Sequence, residues 1–429
     1  MRRNLNHKGI RVNKTNNKTR LLERVRNMFL LVLAGVGCLP LAAQSLRDTN
    51  SAPDTFSVNS GYFSPDLANN MDYAQFLVDE ARLEERLALW GAERMQTTAP
   101  WRAVYLVGTN IFNYFTLLRL SYHEWGHASR IVALGGTARF SNCLNVNGND
   151  WCDAPRDFFG YAQSQFFHFA GGGITKPSGN INFNQESGNA ILNIVTGAGV
   201  NNEMLVADKL NEQHFVRGTG NIFSQWTQWG QLAIVNYGPA HSGDMANVAS
   251  YYRSSGVDRQ IQENDLRNIN NLSLLSGSTV TAFKASYDYI ANGKYNVKPW
   301  TIGGFLVPNQ YNYLSSRGIT RKWVSGYEWN DSTKLLGSYE YVVRGDNFSE
   351  PGLGIYKNFG DWDMLMKVSG TSLAWANMET AVSKRMDAHW KWTVTANLWD
   401  SRSLLGERNT LDFTKNKTHQ ISVGVAYEY

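Results

Sequence analysis

The residues with the clearest chemical signature form one short run, His123-Glu124-Trp125-Gly126-His127. Residues four positions apart share one face of an α-helix, so the two imidazoles can bind a single Zn²⁺ ion. The glutamate after the first histidine can then act as general base on a water whose pKa zinc lowers to about 7. The competing interpretation is a buried helix with two satisfied histidines, although burying His, Glu and His together is costly without a metal or partners.

A third protein ligand is expected, because a catalytic zinc usually takes three and leaves the fourth position to water. The residues directly after the motif, 131–139, contain no His or Asp. The best candidate is Glu203, where a predicted helix follows the glycine-rich stretch from Gly197; the alternative is a solvated acid on the helix surface. The other histidines downstream within the predicted helical unit are His168, His214 and His241, each of which could bind a metal.

The motif on a predicted buried helix, with the patch at 197–212, resembles the gluzincin group of zincin metallopeptidases. The resemblance covers about 30 residues around the motif plus that weaker patch. It implies zinc ligation by His123, His127 and Glu203, with Glu124 as catalytic base, and hydrolysis of a protein or peptide substrate. It also implies that Asp208 orients a zinc histidine, although Asp208 follows Glu203 by five residues where that pattern has four.

The N-terminus indicates export from the cytoplasm. Nine basic residues and one acid in the first 26 positions precede an apolar run, 28–43, that ends on Ala42-Ala43. This pattern predicts a signal peptide over 1–43. A membrane anchor is the alternative, but the run contains Pro40 and is shorter than the roughly 20 residues of a span. Without the first 26 residues the net charge changes from +5 to −3, so no basic surface for nucleic acid is expected.

Two cysteines remain after the predicted signal peptide, Cys143 and Cys152. In an exported chain, two cysteines close together in a loop rich in Gly and Asn favour a disulfide. The alternative is a pair of unrelated thiols. Their spacing to the histidines fits no zinc-finger pattern, so they are not expected to bind metal.

The segment 44–72 is polar and is expected to be a loose lead-in to the domain. Apolar residues at helical spacing then predict helices over 73–95, 101–134 and 191–212, and one or two more over 251–293. The second of these carries the motif and is apolar on most sides, so it is expected to be buried in protein.

After Asn296 the apolar residues alternate with polar ones. The clearest strands are 388–398 and 420–429, with weaker ones at 323–329, 335–344, 364–369 and 372–378. Strands of 8–12 residues with one apolar face are typical of outer-membrane β-barrels, and the terminal Tyr429 resembles the final residue that the barrel assembly machinery recognises. The alternative is a soluble antiparallel sheet.

Together these patterns predict an α+β protein. A helical zincin-like metallopeptidase unit over 73–295 is followed over 296–429 by an antiparallel β-barrel of about eight or more strands. The chain would be anchored in the outer-membrane lipid of a Gram-negative bacterium and would use Zn²⁺. Two other functions stay open: a metal-dependent hydrolase of lipid or cell-wall material, and a non-catalytic barrel with a vestigial motif.

Overall fold

The computed structural model describes residues 55–59, 98–115, 118–141, 151–154, 175–178, 185–234, 243–294, 296–371, 375–413 and 415–428, together with residues 70, 74, 75, 78, 79 and 81. The predicted signal peptide, Cys143, and the side chain of Cys152 lie outside this description, so the predicted disulfide does too.

The secondary structure is mixed. The helices are α1 (Ala99–Phe115), α2 (Leu118–Ala133), α3 (Gln185–Arg217), α4 (Asn221–Gln231), α5 (Asp244–Ser255), α6 (Glu263–Asn271), α7 (Gly277–Asn292) and α8 (Leu404–Asn409). The strands are β1 (Thr55–Asn59), β2 (Thr137–Ser141), β3 (Trp151–Ala154), β4 (Thr175–Ser178), β5 (Thr219–Gly220), β6 (Asn296–Val297), β7 (Thr301–Ile302), β8 (Phe305–Leu306), β9 (Asn309–Ser315), β10 (Gly318–Asn330), β11 (Thr333–Gly345), β12 (Ser349–Asn358), β13 (Trp362–Gly370), β14 (Trp375–Arg385), β15 (Trp390–Asp400) and β16 (Lys417–Glu428).

The helix that carries the motif ends where the sequence predicts. Gly135 adopts a φ of +77°, and its amide donates to the carbonyl of Val132. Glycine reaches this left-handed conformation without steric cost, so it closes the helix. The single helix predicted over 101–134 is two helices, α1 and α2. In the described part of the chain, no helix combines the length and hydropathy needed to cross a bilayer.

The largest element is an antiparallel sheet of 11 strands in the order β1-β16-β15-β14-β13-β12-β11-β10-β8-β7, with β9 also paired to β10. Strand β1 pairs with β16 from Thr55↔Glu428 to Asn59↔Gly424, although it lies in the segment expected to be loose. Among the described strands this path is open, with β1 at one end and β7 at the other. The predicted ring closure is therefore not seen in these residues. Strands β2, β3 and β4 form a separate small sheet that the sequence did not indicate.

The two faces of the large sheet differ in polarity. In β16, Thr418, Gln420 and Ser422 are buried, whereas Ile421 and Val423 are exposed. The same inversion recurs along the sheet, and its exposed apolar side chains include Trp329, Leu335, Tyr339, Leu353, Trp390 and Val425. The sheet therefore places its polar face inside and its apolar face outside, the reverse of a sheet that packs on an apolar core.

Helix α3 connects the two halves of the molecule. Its first half packs in the apolar core with α2, α5 and β9, and Asn201 exchanges two hydrogen bonds with the backbone of Leu314 at 2.6 and 2.7 Å. Its second half lies against the inner face of the sheet through ion pairs, among them Lys367 Nζ–Glu212 Oε2 at 2.7 Å. One helix therefore carries part of the candidate site and part of the polar interior.

Candidate metal centre

Small residues bring the motif helix and α3 into close contact. A Cβ on Gly126 would collide with the backbone carbonyl of Ala198, and a Cβ on Gly199 would collide with the imidazole of His123. Asn202 adds a hydrogen bond from Nδ2 to the carbonyl of Tyr122 at 3.1 Å. The glycine-rich stretch therefore acts as the surface on which the first motif histidine rests.

Three potential ligand atoms converge at the motif. Nε2 of His123 lies 3.2 Å from Nε2 of His127, and Oδ2 of Asp244 lies 2.9 and 3.1 Å from these two nitrogens. These three residues form the one group of His, Cys, Asp and Glu with metal-binding geometry among the described residues. Donors about 2.0–2.1 Å from a tetrahedral zinc lie about 3.3 Å from each other, so the observed spacings are near that value.

The other nitrogen of each imidazole is already engaged. Nδ1 of His127 donates to the carbonyl oxygen of Val195 at 2.7 Å, and Nδ1 of His123 lies 2.8 Å from Oε1 of Glu203. A carbonyl oxygen only accepts, so Nδ1 of His127 carries a proton. When both rings are neutral with Nδ1 protonated, both Nε2 lone pairs face the carboxylate of Asp244, so these three atoms can bind one cation.

The electrostatics of the cluster favour positive charge. Burial lowers the pKa of His123, but hydrogen bonds to Asp244 and Glu203 outweigh it and raise the pKa to about 10. Burial likewise lowers the pKa of His127, and the charge and hydrogen bond of Asp244 raise it above its usual value. For Asp244 burial raises the pKa, and the two imidazoles pull it well below its usual range.

Asp244 is the site residue that the sequence did not reveal. It is the first residue of α5 and follows Gly243, whose φ of +117° turns the chain into the helix. A carboxylate in the first turn also suits the helix dipole. The Gly-Asp pair at a helix start is a local signal, but it does not indicate that α5 packs on α3, the packing that brings Asp244 to the two histidines.

Glu203 and Asp208 occupy different positions from those that the resemblance implies. Glu203 lies at the Nδ1 side of His123 and is not part of the group that converges on Nε2. Asp208 Oδ2 accepts from Lys322 Nζ at 2.5 Å and from the Tyr313 hydroxyl at 3.3 Å, at the inner face of the sheet. The carboxylate of Glu203 therefore lies beside a motif histidine, but it contacts Nδ1 of that ring and does not face the point where the two Nε2 atoms converge.

The remaining candidate residues are the motif glutamate and three histidines downstream of the motif. Glu124 is buried beside the cluster, where its charge helps to raise the pKa of His127. His214, near the end of α3, is buried outside the cluster, and burial with the nearby charge of Lys334 lowers its pKa to about 4. His168 and His241 lie outside the described residues.

The sequence matches no protein-family profile and no curated protein. The geometry of the residues themselves is therefore the basis for any functional assignment.

Proposed function

We propose that this protein is a zinc-dependent hydrolase that cleaves peptide bonds at the periplasmic or outer-membrane side of a bacterial envelope. The observation that carries the proposal is the convergence of His123 Nε2, His127 Nε2 and Asp244 Oδ2 within 3.2 Å of each other. This is a gluzincin-like motif with an aspartate as third ligand in place of the predicted Glu203.

The donor set suits zinc. Two imidazole nitrogens and one carboxylate oxygen are the ligand types of many catalytic zinc sites, and three protein ligands leave a position open. Glu203 and the Val195 carbonyl would orient the two rings, the role that outer carboxylates and carbonyls usually take around zinc histidines. When bound, zinc supplies Lewis acidity, which polarises a carbonyl and makes water a nucleophile near neutral pH.

The chain's own residues would then perform the proton transfers. Glu124, buried on the same helix, would accept a proton from the attacking water and return it to the leaving amine. The site is open on one side, because the Asp244 side chain keeps 22% of its exposure while His123 keeps 6%. A substrate carbonyl would approach from the Asp244 side.

The sheet supports a membrane location. Its exposed face is apolar and its covered face carries ion pairs with α3, the arrangement expected of strands that meet lipid on one side. We therefore include in the proposal a closed barrel in the outer membrane, export by the 1–43 signal peptide, lipid as a partner, and assembly by the barrel machinery.

A second candidate uses the same metal for lipid or cell-wall material. The observation that favours it is the exposed apolar surface, which would hold the site near a lipid substrate. Product analysis separates the two: a casein or peptide library would be cleaved under the first proposal, and purified envelope lipid or peptidoglycan under the second.

Zinc content tests the core of the proposal. Full-length protein purified without chelator should hold about one zinc per chain. Asp244→Ala and His127→Ala should lose it, whereas Glu124→Gln should keep the zinc and lose activity. Asp208→Asn is the matched control and should keep both. Wild-type protein without zinc, or an Asp244→Ala variant with full zinc content, would overturn the assignment.

A further inference from the structure

Helices α1 and α7 expose an unusual amount of apolar surface. On α7, Val280, Phe283 and Tyr287 follow at helical spacing and share one face. On α1, Trp101, Val104 and Val107 do the same. The two helices are joined by two hydrogen bonds from the Arg102 guanidinium to the carbonyl of Ile290, at 2.8 and 3.0 Å.

The short strands β7 and β8 extend this surface. Ile302 and Phe305 are 63% and 60% exposed, and the Trp300 amide donates to Thr281 Oγ1 on α7 at 3.1 Å. We call this region the α1–α7 apolar surface. It comprises Trp101, Val104, Val107, Leu275, Val280, Phe283, Tyr287, Trp300, Ile302 and Phe305.

Neighbouring helices show that such exposure is not a general property of this half. The exposed side chains of α5 and α6 are polar, among them Asn247, Ser250, Ser254 and Asn264. A soluble helix ordinarily directs its apolar side to the core and its polar side to water, as α5 does. Apolar patches of this size on a protein surface mark an interaction site.

The α1–α7 apolar surface is continuous with the outer face of the sheet. The ring of Phe305 packs on Tyr327 of β10 with centroids 4.5 Å apart, and Tyr327 contacts Trp329 at 6.3 Å. These ring contacts link the outer face of β10 to β8, whose Phe305 belongs to the α1–α7 apolar surface.

Charge indicates the kind of partner. The segments 98–108 and 272–306, which form the surface, contain four cations and one anion, Asp288. The cations are Arg102, Lys284, Lys294 and Lys298, while the chain beyond residue 26 has a net charge of −3. Aromatic and aliphatic side chains flanked by lysines are typical of helices that lie in the interface of an anionic bilayer.

We propose that the α1–α7 apolar surface docks on an anionic lipid bilayer. This inference rests on the membrane location in the proposed function and extends the lipid-contacting region from strands to helices. Since α2 follows α1 directly, docking would hold the motif helix beside the bilayer surface.

Photo-crosslinking tests the proposal with the full-length chain in vesicles of phosphatidylethanolamine and phosphatidylglycerol. We would place p-benzoylphenylalanine singly at Phe283 and Tyr287 on the apolar surface, at Ile421 on the sheet, and at Ser254 as an exposed control on α5. Intact mass then separates a lipid adduct from a cross-linked dimer or an internal cross-link. Lipid adducts at Phe283 and Tyr287 should exceed those at Ser254 about tenfold, and Lys294→Gln with Lys298→Gln should lower the phosphatidylglycerol adducts several-fold.

Each outcome has a distinct meaning. Adducts at Ile421 with only dimers or internal cross-links at Phe283 and Tyr287 would overturn this inference and leave the membrane location intact. Adducts at Phe283 and Tyr287 without one at Ile421 would support docking through the helices and overturn the barrel. Absence of lipid at all three positions would overturn both.

Discussion

The helical half and the sheet half of this protein differ in the kind of side chain that they bury. Around the candidate metal centre, Trp125, Met204 and Val248 fill an apolar core. Behind the sheet, many buried side chains are polar or charged, and many apolar side chains lie exposed on the outer face. The exposed side chains of α5 and α6 are polar, as expected in contact with water, whereas the outer face of the strands is apolar, as the proposed contact with lipid requires.

The two halves also differ in how their buried charged and metal-binding groups are arranged. In the helical half, His123, His127 and Asp244 direct three potential ligand atoms at one point, an arrangement that suits a bound cation. In the sheet half several buried charges meet opposite ones, as in the pair between Glu340 and Arg408 and the contact of Lys391 with Asp363. A buried cluster of potential metal ligands is typical of a functional site, whereas a network of paired charges is typical of a structural role.

The largest effect is expected in the sheet interior. Both guanidinium nitrogens of Arg408 donate to Glu340 at 2.7 Å, and both residues are buried. Arg408→Met leaves the carboxylate buried without its partner, so the free energy of unfolding should fall by about 3–5 kcal/mol. Urea unfolding in micelles measures it. Arg402→Met is the matched control, since its pair with Asp400 is exposed on the arginine side and should contribute about 0–1 kcal/mol.

The next effect tests the solvent of the outer face. Val423 is 52% exposed on β16. If that face meets lipid, Val423→Arg should lower the free energy of unfolding in vesicles by about 2–4 kcal/mol. In contact with water, the same change should stay within about 0.5 kcal/mol. Asn416→Arg, in the exposed turn before β16, is the control and should change little in either case. Equal effects at the two positions would remove the contrast between the halves.

Local patterns in the sequence predicted the fold better where the chain is regular than where it is not. The alternating runs at 388–398 and 420–429 form β15 and β16, and the turn at Gly345-Asp346-Asn347 separates β11 from β12. Strand β12 was missed, because Pro351 and two glycines hide its alternation. The antiparallel sheet was thus predictable, whereas its pairing with β1 depends on contacts between distant segments.

The site was predictable only in its local part. His123, Glu124 and His127 lie on one helix, so their spacing alone brings them together. The third position depends on how α5 packs against α3, because Asp244 lies more than 100 residues from His123 and His127 in sequence, and no local pattern records this packing. The patch at 197–212 pointed to Glu203, whose carboxylate lies beside His123. The sequence could not show which nitrogen of His123 that carboxylate contacts.

Gly199 tests how tightly the helical half constrains its site. A Cβ there would overlap the His123 ring, so Gly199→Ala should displace the imidazole and weaken zinc binding by about 100-fold. Competition with a fluorescent chelator measures the affinity. Gly108→Ala on α1, where a Cβ meets open space, should leave zinc affinity unchanged and stabilise the helix by about 1 kcal/mol. Unchanged affinity in Gly199→Ala would mean that α3 shifts to make room.

The smallest effect separates the two possible roles of Glu203. If its carboxylate only orients His123 through Nδ1, Glu203→Gln keeps an acceptor there, and zinc affinity should fall about 10- to 100-fold. If Glu203 binds the metal directly, the loss should equal that of Asp244→Asn, which removes the charge of the proposed third ligand. Asp208→Asn makes the same acid-to-amide change on the same helix, but its partners are Lys322 and Tyr313, so zinc affinity should not change. Chelator competition on the three variants ranks them. If Asp208→Asn had the lowest zinc affinity of the three variants, Asp208 would belong to the metal site. The site would then include a residue at the inner face of the sheet as well as the helical residues.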